Sequence, residues 1–241
     1  MSSLNSLRLF VDVHEKRLVT SPFDPSTPTL PAFIKDDKYA MEVYPLIPNM
    51  FSGLGNNPYE PITSTTLWTL ARLNLGSTTT GSESILLGDL IFTAEQRLYD
   101  CSVLAGGTNY NVGDILKITN GTQVEAAKVE VTAVESGAVS AIRIHDEGAH
   151  TSGIAHPGNG WDTTVFCTAN TAAANCTLLA KFAQTFVGVL DLTPAAIDTL
   201  LSSTTATSNL EVRLETTGGS AKFVTILQTP ITINENLMDT P

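Results

Sequence analysis

His145, His150 and His156, with Asp146 and Glu147 between them, are the one group in this chain whose side chains suit metal chemistry. Imidazole and carboxylate together can ligate a transition metal. Their separations of five and six residues run through Gly148 and Gly153, however. No helix turn imposes a shared face on them, as it does where two histidines stand four apart. The expectation is therefore a polar surface loop. The cysteines, Cys101, Cys167 and Cys176, form no CxxC pair and fit no zinc spacing. Their odd number argues against a disulfide framework. A Cys167–Cys176 bridge would need an oxidising medium, so reduced thiols are expected.

Asp12, Asp114 and Asp191 sit in or beside expected strands and turns, with no second acid at a spacing that would pair them for acid–base work. No G-x-S-x-G elbow accompanies the serines and histidines. Gly106-Gly107 does not open a helix, so it cannot cradle phosphate. Trp68 and Trp161 could stack on a sugar, although core or interface anchoring is the commoner use of tryptophan. The sequence is read as a non-enzyme, with no catalytic, cofactor-binding or metal residues and no cofactor.

The elements that must carry these residues are short strands. Across 7–13, Leu7, Leu9, Val11 and Val13 alternate with Arg8, Phe10 and Asp12. Pro22, Pro25, Pro28 and Pro31 then recur at three-residue intervals, which favours extended chain. Strands are expected over 39–46, 65–75 and 85–92, with a long loop over 49–61. From 106 to 150 the pattern is glycine-punctuated strands: Ile115, Leu116 and Ile118, then Val124, Val129, Val131 and Val134, and after Ser136-Gly137 the run Val139, Ile142 and Ile144. A strand is expected over 182–192. Thr193 as N-cap and Pro194 at the first helical position predict a two-turn helix over 195–201. Leu210, Val212 and Leu214 alternate with Glu211, Arg213 and Glu215. Strands at 223–227 and 231–233 follow the turn at Gly218-Gly219.

Apolar residues make up 42% of the 241 and charged residues only 15%, with Ser and Thr filling the difference. That balance suits β-structure. The formal net charge of −11 is spread along the whole chain. Without a basic stripe there is no footprint for nucleic acid, and an anionic membrane surface is disfavoured for the same reason. The first twelve residues lack a signal-peptide pattern and no window approaches a membrane span, so cytoplasmic synthesis is expected.

Gly106-Gly107-Thr108-Asn109-Tyr110-Asn111-Val112-Gly113-Asp114 and the strands after it resemble a β-module found in structural proteins of tailed bacteriophages. In that module the Val-Gly-Asp residues shape the turn into the next strand. Leu9-Phe10-Val11-Asp12 with Arg17-Leu18, together with Phe186–Thr193, Leu210–Leu214 and Thr225–Ile233, resemble the start and close of a domain in phage baseplate and tail-fibre adaptor proteins. The resemblance implies an all-β fold. In it, 1–99 and 181–241 form one discontinuous Ig-like β-sandwich and 100–180 is an inserted Gly-rich β-module. It further implies a virion protein assembled in the host cytoplasm, most simply a tail or baseplate adaptor. Its partners would be other virion structural proteins and copies of itself, with no direct nucleic acid and no membrane. A capsid decoration or head-fibre protein is the alternative within that class. A carbohydrate-binding module touching host glycan is the alternative outside it. The segments 20–32, 49–61 and 234–241 are the expected contacts to other chains.

Overall fold

The computed structural model describes residues 6–48, 58–62, 70–76, 85–119, 122–152, 163–168, 176–193, 197, 205–215 and 223–235. The chain is all-β among these residues, of sandwich type, with one 3-10 position at Ile197. The strands in chain order are β1 (Ser6–Asp12), β2 (Arg17–Val19), β3 (Phe33–Ile34), β4 (Lys38–Pro48), β5 (Tyr59–Pro61), β6 (Leu70–Gly76), β7 (Ile85–Ala105) and β8 (Ile115–Ile118). They continue as β9 (Thr122–Glu125), β10 (Lys128–Glu135), β11 (Ala138–Asp146), β12 (Ala149–Ser152), β13 (Thr163–Thr168), β14 (Thr177–Asp191), β15 (Thr205–Glu215) and β16 (Phe223–Asn234). By compactness the chain divides into two units, 1–92 with 186–241, and 93–185. β7 and β14 each contribute residues to both.

In the first unit one layer runs β2-β1-β4-β14, and the other runs β7-β6-β15-β16-β3. The period-2 patterns explain the layers, because alternate residues of each strand point to one face. Leu9 and Val11 of β1, Met41 and Val43 of β4, and Phe186 and Leu190 of β14 turn inward. They meet Leu73 and Leu75 of β6, Leu210, Val212 and Leu214 of β15, and Ile231 and Ile233 of β16. Each such side chain, taken fully out of water, favours folding by about 1.5–3 kcal/mol before entropy is charged. Gly88 of β7 lies against the backbone of Val189, where a Cβ would strike the carbonyl. The outer face of β4 carries a smaller cluster of Val19, Leu46 and Tyr59, with Phe10 packed beside it.

In the second unit the order is β11-β10-β8-β13-β14, while β12 joins β9 and β7. Its core holds Leu98, Tyr110, Leu116, Ile118, Val129, Val131, Val139, Leu178 and Phe182. The β10–β11 hairpin closes over Ser136 and Gly137, at φ 51° and 79°. Two successive positive φ values make the two-residue turn whose twist matches that of the strands it joins.

Several expectations change. The two strands expected at 223–227 and 231–233 are one, β16, which runs on through Pro230 opposite Asn209. Ser21 and Asp24 close a turn inside the proline-spaced stretch expected to be extended. The 49–61 loop ends in a strand, since Tyr59–Pro61 pairs with Leu46–Pro48 and Tyr59 is buried. The strand expected over 39–46 runs from Lys38 to Pro48, with Pro45 inside it in register opposite Val11. Ile85 begins a strand that runs not to 92 but to Ala105. Of the helix expected over 195–201 only Ile197 lies within the described residues, and it is buried.

Candidate functional site

Of the histidine cluster, His145 and Asp146 are each engaged with other partners. His145 is on β11, half exposed, with Nδ1 3.8 Å from Glu130 Oε2, and Arg143 holds the same Glu130 oxygen at 2.7 Å. Asp146 is engaged elsewhere. It accepts from Lys128 Nζ at 2.7 Å and from the Gly148 amide at 3.0 Å. The Lys128 hydrogen bond, then the Gly148 amide, hold its carboxyl below the usual carboxylate range. The same Asp146 bond raises Lys128. Glu147 receives the Leu98 amide on its backbone carbonyl, at 2.9 Å. His150 contributes backbone to β12, opposite Gln96 and Gln123. His156 lies outside the described residues. Among the described residues, no three His, Cys, Asp or Glu side chains come together in a way that could hold a metal ion.

The aspartates are placed by turns and in turn hold them. Asp12 ends β1 with its side chain buried. Its Oδ1 accepts the amides of His14 at 3.0 Å and Glu15 at 3.1 Å, closing the reversal into β2. Its Oδ2 accepts from Tyr59 Oη at 3.1 Å, with Arg17 Nε 4.0 Å away. Arg17 donates one Nη to Tyr59 Oη and the other to the Pro25 carbonyl, each at 2.9 Å. Burial, then the bond to Asp12, push the Tyr59 phenol upward. The aspartate and arginine of the amino-terminal motif thus form one network around a tyrosine from the following loop. Sequence reasoning missed Tyr59; the signal was an aromatic beside Pro58 in a Gly/Pro-rich stretch.

Asp114 works likewise. Its Oδ2 accepts the Asn111 amide at 2.9 Å, its own amide donates to the Asn111 carbonyl at 3.2 Å, and its carbonyl accepts the Val131 amide at 2.9 Å. Gly113, at φ 93°, donates to the Val131 carbonyl at 2.8 Å. Tyr110 is buried, and its hydroxyl accepts the Cys176 amide at 3.3 Å. The glycine-rich loop is thereby zipped onto the β10–β11 hairpin, leaving Val112 exposed at its tip. Asp191 takes Lys38 Nζ at 2.7 Å, and its Oδ1 accepts the Thr193 hydroxyl at 2.6 Å. These bonds, Lys38 first, hold its carboxyl at about 2. Thr193, expected as a helix N-cap, serves this turn with both its hydroxyl and its amide.

Cys101 and Cys176 are free thiols. Burial, with the Asp100 charge adding to it, pushes Cys101 up to about 12, which leaves almost no thiolate at neutral pH. The sugar-stacking candidates Trp68 and Trp161 lie outside the described residues. What the surface offers is exposed apolar side chains: Phe23, Ile34 and Ile47 in the first unit, Leu104 and Val112 in the second. Such side chains on a firm backbone can dock on another protein at little ordering cost. No protein-family model, curated protein or solved structure matches the chain.

Proposed function

We propose that this chain is a structural component of a tailed-phage virion, a tail or baseplate adaptor that joins tail to fibres through protein–protein interfaces. The observation that carries the reading is the use made of the motif residues. Asp12 and Arg17 of one motif, and Asp114 of the other, hold turns by accepting or donating to backbone groups. The resemblance to virion proteins therefore runs through folding devices, and these fix exposed segments in place. Residues 27–32 run without secondary structure beyond the Asp12–Arg17 network and are mostly exposed. Apart from Leu30, which packs against the core, this segment leaves its surface open and is suited to lie along a neighbour. Such docking would order side chains that are costly to fix on an isolated chain.

The test is amide hydrogen exchange on the purified protein and on the assembled particle. Slowed exchange over 20–32, or over the other two expected contact segments, supports the adaptor reading. Equal exchange in both states, or absence of the chain from purified particles, overturns it. A map that puts the chain on the capsid would select the decoration reading instead.

A further inference from the structure

Strands β8, β13 and β14 lie side by side in the second unit. β13 pairs antiparallel with β14, from Thr163 opposite Ala180 to Phe166 opposite Thr177. One step further in the same register, Cys167 comes opposite Cys176. On its other side β13 pairs with β8, and there Cys167 stands opposite Ile118. Ile118, Cys167 and Cys176 thus hold one row across three strands. Its two outer members are buried in the core of this unit, as are Leu116 and Leu178 two residues along. Period-2 alternation gives the positions of a row one common face. Cys176 is held at its end of the row by its amide, which donates to Tyr110 Oη at 3.3 Å.

Opposed residues of an antiparallel pair have Cα atoms about 5.5 Å apart where they exchange hydrogen bonds and about 4.5 Å apart where they do not. A disulfide spans Cα separations of about 4.4–6.8 Å. Either kind of pairing therefore brings two cysteines at one cross-strand position within bonding reach with little movement of the strands. The sequence spacing alone carries no such information, since it matches no known pairing motif.

We propose that Cys167 and Cys176 are a redox-closable pair, oxidised by small-molecule disulfides to a cross-strand bond that locks β13 to the start of β14. The free Cys176 thiol belongs to the reduced form. In the closing reaction the thiolate of one cysteine attacks the reagent's disulfide and releases one small thiol. The sulfur of the other cysteine then attacks the mixed disulfide and releases the second. Two protein thiols are oxidised, one reagent disulfide is reduced to two thiols, and the two cysteine protons pass to them. Cys176 is buried but stands at the very end of its strand, where pairing frays first. Cys101 is the spectator. It packs against the same core from within β7, and the burial that pushes its thiol up to about 12 leaves almost no thiolate for exchange. The inference goes beyond the assembly reading and does not depend on it.

The experiment compares oxidation of the folded and the unfolded chain. The full chain is equilibrated with buffers of reduced and oxidised glutathione, once in its native state and once in urea. Acid then stops the exchange, and peptide mass mapping reads which cysteines are joined. A bond that the fold favours has the larger oxidation constant in the folded chain, by the same factor with which it favours folding. For a closed loop of about ten residues that factor is on the order of a hundred before native strain is subtracted. A Cys167–Cys176 linkage with a folded-to-unfolded ratio of at least about ten is therefore expected. A smaller ratio, a linkage through Cys101, or three free thiols in the most oxidising buffer overturns the proposal. A second variant tests the register itself. Cys176→Ala combined with Thr177→Cys moves one sulfur a single residue along, to the opposite face of the sheet, and leaves the sequence separation almost unchanged. Its ratio should fall to about one or below, with circular dichroism checking that the chain is folded. A shifted pair that closes as readily as the native one overturns the proposal as well.

Discussion

A carboxylate withdrawn from water must recover its lost hydration from donors around it, and Asp12 does so with two amides and a phenol. Removing it takes the acceptor from the Tyr59 hydroxyl and frees the turn. Asp12→Ala should therefore cost about 2 kcal/mol, read as a lower urea midpoint, whereas Glu15→Ala, on the exposed side of the same turn, should stay within about 0.5 kcal/mol. Asp191 makes a different prediction because its pair is partly exposed and hence worth only about 0.5–1 kcal/mol. Its folded pKa is depressed to about 2, below the unfolded carboxylate value of about 3.9. Its contribution is therefore complete above about pH 4 and fades as pH falls through about 2. Asp191→Asn should be less stable than wild type at pH 7, with the gap in urea midpoint closing at pH 2. A gap of constant size would mean that the charge has no part in it.

The glycine-rich module shows at the scale of elements why some of its glycines are needed and others matter less. Gly148 has φ 63°, and a Cβ there would strike the backbone of Ala127. Gly113 has φ 93° but faces open space. A side chain at Gly113 meets only the left-handed penalty, on the order of 1 kcal/mol. At Gly148 the clash is added, and backbone cannot step aside as a flexible side chain can. Gly148→Ala should accordingly destabilise the 93–185 unit by roughly 3 kcal/mol or more, against about 1 for Gly113→Ala. Amide exchange of Val129 and Val131, in the core of that unit, gives both values in one measurement. Equal losses would show that the approach of Gly148 to Ala127 is not tight.

At the scale of the whole molecule, charge sets the terms of assembly. A net charge of −11 repels a second copy, and salt screens that repulsion within a Debye length of about 10 Å at 0.1 M. Self-association should therefore strengthen on going from low to moderate salt, measured by sedimentation at fixed protein concentration. Weakening with salt would instead point to a patch of opposite charge at the interface.

The all-β class and most strand positions were legible in the sequence, because period-2 alternation records locally which side of a strand faces a core. Leu7, Leu9 and Val11, or Leu210, Val212 and Leu214, carry that record without help from distant residues. The Ser136-Gly137 hairpin was equally local, since its turn depends on the backbone freedom of two residues. Contacts between distant residues decided the rest. Nothing near Tyr59 in sequence announces that it bridges Asp12 and Arg17, and its strand exists because β4 offers an edge to it. Pro45 sits inside a strand because β1 pairs alongside it, against its local tendency to stop one. The histidines at 145 and 150 could not be judged from spacing, as the bulged β10–β11 pairing and the β12 ladder determine where each lies. Local pattern fixes which residues turn inward, whereas only the folded chain fixes which distant residues they meet.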